Sequence, residues 1–169
     1  MNRKLLGAVY AVAILAFGYY LWGNVIWSNR GYAPVQPIPF SHKIHAGTNH
    51  IPCLYCHTNV ERSPHATIPS LNICMNCHSV VAVDKPNIVK LTELYNTGKP
   101  LEWVRVHNLP DHAYFSHQAH IAKGFDCAEC HGDVARMDVV HQAKRLRMGD
   151  CITCHRQNDG PTSCNTCHQ

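Results

Sequence analysis

Ten cysteines fall into five pairs of identical spacing, each followed at once by histidine. They are Cys53-Leu-Tyr-Cys56-His57, Cys74-Met-Asn-Cys77-His78, Cys127-Ala-Glu-Cys130-His131, Cys151-Ile-Thr-Cys154-His155 and Cys164-Asn-Thr-Cys167-His168. Two thiols three apart lie on one side of a helical turn, and the next residue aims its imidazole from that same side. This is the donor set for covalent haem c, with thioethers to both vinyl groups and the imidazole on the iron. Zinc ribbons and extracytoplasmic disulfides also use paired cysteines, but neither requires His after every pair. With 14 His in 169 residues, five such placements by chance have a probability of about 4 in a million. The expectation is five haem c groups, with His57, His78, His131, His155 and His168 as proximal iron ligands.

Nine histidines remain, and five would fill every sixth position. Filled irons exchange electrons but do not readily bind substrate, which argues against a catalytic reductase with an open haem. His107, in Val-His-Asn-Leu-Pro-Asp, is chosen here as one distal ligand. His50, His65, His112 and His141 are read as surface residues or neighbours of the ligands. Met137 and Met148 lie near motifs, so one His/Met haem stays open as an alternative to ordinary packing of both sulfurs.

The elements that must position these groups are sparse. From residue 31 onward the chain has roughly 28 residues for each motif, too few to wrap every porphyrin in its own protein core. The porphyrins must then form most of the apolar interior and lie against one another. An internal repeat fits this: Phe40-Ser41-His42-Lys-Ile-His45 precedes the first motif and Phe115-Ser116-His117-Gln-Ala-His120 the third. A two-haem module is used twice, over 40–79 and 111–156, with a connector at 80–110 and a fifth haem at 157–169. Within the connector, Pro86 to Thr97 reads as a helix with Ile88, Leu91 and Tyr95 on one face and Gly98 as its stop. Leu101 to Val106 reads as extended chain or a short strand.

Leu5 to Trp27 carries no charge and is long enough to cross a bilayer. Arg3 and Lys4 precede it, so the positive-inside bias leaves the N-terminus in the cytoplasm and the haem domain in the periplasm. Tyr19, Tyr20, Trp22 and Trp27 gather at the outer end. A signal peptide would have a shorter apolar run and a small-residue cleavage site, so 1–29 is expected to be an uncleaved anchor. Pro34, Pro37 and Pro39 make 30–40 a stiff tether to the pentahaem domain at 41–169. The formal charge of +4 loses its meaning once haem propionates are added, and no basic stripe interleaved with aromatics indicates a nucleic-acid partner. Lys144, Arg145 and Arg147 form a short basic run that suits propionates, an acidic partner or plain solvation.

The paired FSHxxH elements resemble those of the class III multihaem cytochromes c. In that family the first His ligates the haem of the following motif and the second reaches a neighbouring haem. The resemblance implies that His42 pairs with His57 and His117 with His131, while His45 and His120 serve other haems. It also implies a class III-like fold of short α-helices and loops wrapped around the haems. Ile68 to His78, Val106 to Asp111 and Met148 to Arg156, together with the anchor and five motifs, resemble the pentahaem subunit of alternative complex III. They are also similar to the multihaem subunit of menaquinone reductase, which generally carries six haems.

The first resemblance implies an electron-relay subunit of a membrane quinol:acceptor oxidoreductase with no catalytic site of its own. Its partners would be polytopic quinol-binding subunits, an iron–sulfur or molybdopterin-like subunit, membrane lipid, and a periplasmic acceptor such as cytochrome c, a copper protein or a terminal oxidase. The competing reading is a stand-alone quinol dehydrogenase of the NapC/NrfH kind, usually with four haems and a single anchor.

Overall fold

The computed structural model describes residues 2–25 and 28–168. Ile26 and Trp27, the outer end of the expected span, lie outside the described residues, as do Met1 and Gln169. Among the described residues there are helices, turns and irregular chain but no strand.

Helix α1, Arg3–Val25, is apolar along its length and about 34 Å long at 1.5 Å per residue. It is long and apolar enough to cross a membrane, with a mean hydropathy of 1.8 over Arg3–Asn24, and most of its side chains are exposed. Length and composition of this kind suit an anchor or a signal sequence.

The remaining helices are short. α2 is Cys53–Cys56, α3 Leu71–His78, α4 Pro86–Asn96, α5 His117–Ala122, α6 Cys127–His131, α7 Met148–Gln157 and α8 Cys164–Cys167. Single turns at Lys43–Thr48 and Val134–Arg136 complete the set. Four of these helices are six residues or fewer, well below the length at which an isolated helix persists in water. Their stability has to come from what they pack against.

α4 is the best specified. Pro86 occupies its first turn, where a missing N–H costs nothing. It ends as a Schellman motif: Gly98 takes φ 66°, its N–H reaches Tyr95 O at 3.2 Å, and Lys99 N–H reaches Leu94 O at 3.0 Å. Leu91 on its inner face is buried. The segment 101–106 forms no strand. Val104 instead donates to Gln36 Oε1 and accepts from Gln36 Nε2, both at 2.9 Å. One carboxamide thus replaces a single rung of a ladder, and no second chain is recruited.

A protein core is nearly absent. Among the described residues only Ile38, Val60 and Leu91 are buried apolar side chains. A folded 19.0 kDa chain ordinarily exposes about 8,400 Å². This one exposes 12,479 Å², part of it from α1. The polypeptide does not close over itself.

Candidate haem sites

All five CxxC pairs sit on a helical turn: α2, α3, α6, α7 and α8. Two of these turns are fixed by side chains at their starts. Asp126 caps α6 by accepting from Ala128 N at 2.8 Å, while its own N–H donates to Glu129 at 3.1 Å. The N–H of Arg147 meets Asp150 at the start of α7 at 3.3 Å. All ten thiols are free, each one exposed or half-buried.

The FSHxxH elements are built alike. Ser41 Oγ accepts from Ile44 N at 3.2 Å and Ser116 Oγ from Ala119 N at 3.4 Å, so the serine caps the His-bearing turn in both. Phe40 meets His42 edge-on at 4.8 Å and stacks on His45 at 4.3 Å. Phe115 meets His117 edge-on at 4.8 Å and stacks on His120 at 4.5 Å. The serine carbonyl then accepts from the second imidazole, His45 Nδ1 at 2.8 Å and His120 Nδ1 at 2.7 Å. One Phe and one Ser thus orient two imidazoles three apart on one turn.

Imidazoles bound to opposite sides of one metal at about 2 Å have ring centroids about 6 Å apart. Four pairs have nearly that separation: His45–His78 at 6.1 Å, His117–His131 at 6.2 Å, His120–His155 at 6.0 Å and His112–His168 at 5.6 Å. His42 and His57 are close enough that His57, after burial, lowers the pKa of His42 to about 4. His42 Nδ1 is buried without a hydrogen-bond partner. Burial first, then His107, His117 and His57, lowers His131 to about 4 as well. Both rings are neutral at pH 7, the form that binds a metal.

The other ring nitrogen is tied down in most of these residues. Nδ1 of His57 meets Thr67 O at 2.8 Å, His78 meets Val81 O at 3.1 Å and His117 meets Pro64 O at 2.9 Å. His155 Nδ1 meets Pro161 O at 2.5 Å and His168 Nδ1 meets His112 O at 2.9 Å. An imidazole anchored through Nδ1 presents Nε2, which is the usual device for orienting a metal ligand. No metal is required to read this bias. Free paired thiols, opposed imidazoles and a chain without a core together fit covalently bound haem.

Two histidines bear on the fifth distal position. The ring centroid of His107, expected as a distal ligand, lies only 4.4 Å from that of His131, too close for an ion between the two, and its Nε2 is 3.2 Å from His131 Nδ1. His112 stands opposite His168 instead. Sequence spacing could not reveal this, because the two are 56 residues apart. Met148 is 66% exposed, and the Met137 methyl lies beside Gly132.

Neighbouring thiols give the spatial order of the motifs. Burial and then Cys77 and Cys53 raise the Cys56 thiol, and burial and then Cys56 raise Cys74. Burial and then Cys53 raise Cys127. Burial raises Cys130, Lys144 opposes this, and Cys154 adds to it. Burial, Asp150 and then Cys167 raise Cys151. Thiols of the second motif thus neighbour those of the first, the first those of the third, the third those of the fourth and the fourth those of the fifth. Two hydrogen bonds follow the same neighbours, and a third ties the segment before the third motif to the fifth. Asn76 donates to Tyr55 at 3.1 Å, and Gln118 N to Ser63 O at 3.3 Å. Tyr114 N donates to Cys167 O at 2.7 Å.

The basic run meets the outer end of α1. Arg145 donates to Asn24 at 2.9 Å and to Asp150 at 3.3 Å, and Arg147 donates to Gly23 O. Cations are favoured at a helix C-terminus, where the last carbonyls lack partners. The fourth motif is thereby tied to the apolar helix. Gln142, the most buried side chain described, joins the same junction through Ser28 O at 3.3 Å and Lys144 O at 3.0 Å.

Comparison with known proteins adds three findings. The family described as cytochrome c7 and related cytochrome c matches residues 113–169. The multihaem cytochrome c subunit of menaquinone reductase from Nitratidesulfovibrio vulgaris is 28% identical over 185 residues, covering 94% of this chain and 86% of that one. Cytochrome c3 of Desulfuromonas acetoxidans is 36% identical over 66 residues, covering 38% of this chain and 93% of that one.

Proposed function

The chain belongs to the multihaem cytochrome c3/c7-like family, and from that premise we propose that it is the electron-carrying subunit of a membrane quinol:acceptor oxidoreductase, of the alternative complex III kind. Haem c supplies reversible one-electron chemistry at iron. The five CxxCH motifs support a count of five, with thioethers from Cys53, Cys56, Cys74, Cys77, Cys127, Cys130, Cys151, Cys154, Cys164 and Cys167. The imidazole pairs proposed as axial ligands are His42/His57, His45/His78, His117/His131, His120/His155 and His112/His168.

The observation that carries this reading is the set of opposed imidazoles. With a histidine on each side of the iron no position is left for substrate, so the chain carries electrons and has no catalytic site of its own. Two imidazoles three apart on one turn hold the first and second sites close, and again the third and fourth. The Cys53–Cys127 contact joins the two halves. On this reading residues 1–29 anchor the chain, 30–40 tether it, and 41–169 lie in the periplasm. On the same reading the fourth motif lies nearest the membrane, a placement supported by the Arg145 bridge to Asn24 and Asp150.

A second reading is favoured by the relative that covers 86% of its own length against this chain, a menaquinone reductase subunit. The five motifs favour the first. Native electrophoresis of detergent-solubilised membranes with haem staining separates them from a stand-alone quinol dehydrogenase: the chain is expected to migrate with a polytopic subunit and an iron–sulfur subunit. Isolation alone with full quinol oxidation would reject the subunit reading. Among complexes, quinol oxidation coupled to cytochrome c reduction supports the first reading, and menaquinone reduction the second.

A further inference from the structure

Seven of the histidines placed here as axial ligands anchor Nδ1 on a backbone carbonyl: His45, His57, His78, His117, His120, His155 and His168. His131 is different. Its Nδ1 lies 3.2 Å from an imidazole nitrogen, Nε2 of His107, which is the acceptor whenever His131 binds a metal through Nε2 and so carries its proton on Nδ1. We propose that His107 is a positioning residue for the third haem, acting through His131 as the one side-chain acceptor among these anchors and holding that haem at a lower potential than a carbonyl acceptor would. The proposal rests on the haem reading above, because it concerns the iron that His131 would bind.

The chemistry follows from acceptor strength. An amide oxygen is a weak base, whereas an imidazole nitrogen is a good one. A stronger acceptor draws the Nδ1 proton and leaves more electron density on the ring, and a more basic ligand stabilises the oxidised iron. The third motif sits in the middle of the spatial order, between the first and the fourth, so its potential sets whether the centre of the relay is a step up or a step down.

The surroundings show that His107 is placed by structure. It is half-buried. The next residue, Asn108, donates through its N–H to Gln142 Oε1 at 3.4 Å. Gln142 is 1% exposed. Its backbone is paired on both sides, its O accepting from Gly31 N at 2.8 Å and its N donating to Tyr32 O at 3.0 Å. A chain of contacts therefore runs from residues 28–32, beyond the apolar helix, through Gln142 and Asn108 to His107. None of this is needed for an exposed histidine.

The test uses the full-length holoprotein in detergent. His107→Phe keeps the ring volume and removes the acceptor, while His107→Gln keeps an acceptor oxygen of amide strength. Mass spectrometry is expected to show the wild-type haem count in both, and EPR of the oxidised proteins no new high-spin signal. In the redox titration one midpoint of His107→Phe moves positive, with about a tenfold change in that haem's reduction equilibrium, about 59 mV for one electron. His107→Gln lies between it and wild type. A new high-spin signal in either variant, or titrations that superimpose on wild type, would overturn the proposal. If His107→Phe fails to assemble, His107→Gln alone decides by the same two readouts. A wild-type protein without covalent haem would defeat the reading beneath it, a result distinct from both.

Discussion

The imidazole of His112 faces that of His168 across 5.6 Å at an interplanar angle of 23°, although the two residues are 56 positions apart. The backbone of the same segment is bound to the last motif, with Tyr114 N on Cys167 O at 2.7 Å. His112→Ala is therefore expected to turn one haem high-spin in the EPR spectrum while the mass retains every haem. The same change at His50, His65 or His141 is expected to leave the spectrum unaltered. A silent His112 variant would remove it from the ligand set.

Each FSHxxH phenylalanine touches two imidazoles, so one substitution there should disturb two sites at once. Phe115→Ala removes the edge contact to His117 and the stack on His120. The side chain is half-buried, and the cost is about 2 kcal/mol, below the 3–5 typical of a fully buried Phe. Two low-spin EPR signals should broaden or shift together. If only one changes, the element does not orient both rings.

Much of this architecture was legible in the sequence, because its determinants are local. The CxxCH turns need only an i, i+3, i+4 pattern, and the Pro86 start and Gly98 stop of α4 are backbone chemistry within a dozen residues. The small core followed from chain length per motif. What stayed hidden depends on contacts between distant segments. His107 and His112 look alike in sequence, each beside a Pro-Asp turn. Only the fold sets one against His131 and the other opposite His168. Arg145 and Arg147 read as a basic run suited to propionates, an acidic partner or plain solvation, and their use at the end of α1 becomes visible only when residues more than a hundred positions away are in place. Leu101 to Val106 had the composition of a strand but no partner chain, and Gln36 took its place.

The junction between head and helix gives a third expectation. Arg145 and Arg147 supply cations and hydrogen bonds to the last turn of α1, where each favourable charge is worth about 0.3–1 kcal/mol. Changing both to Ala in lipid nanodiscs should raise hydrogen exchange of amides 20–25 by about tenfold, which corresponds to 1.4 kcal/mol. Haem content should be unchanged. Unaltered exchange would mean that the contacts contribute nothing to how the head is held.

The contact between the two modules is the place where a single methyl group should matter most. The turn Lys43–Thr48 packs on Val134–Arg136, and Lys43 reaches Asp138 at 3.0 Å at the same seam. A β-carbon at Gly47 would drive into the carbonyl oxygen of Ala135, a backbone atom that has no rotamer in which to escape. Overpacking of this kind costs about 1–3 kcal/mol. Gly149, in the first turn of α7, is the control. Nothing lies within 4 Å of its would-be β-carbon and its φ is not left-handed. Gly149→Ala should be neutral or stabilising by up to about 1 kcal/mol from helix propensity. Thermal unfolding of the holoproteins, followed by haem circular dichroism, should therefore show Gly47→Ala lowered and Gly149→Ala level with or above wild type. The seam joins the element that carries His42 and His45 to the chain just after His131. Loosening it should weaken the exciton coupling between haems of the two modules, and that coupling should survive in Gly149→Ala. Equal melting curves for the two variants would show that the modules do not depend on close approach at Gly47.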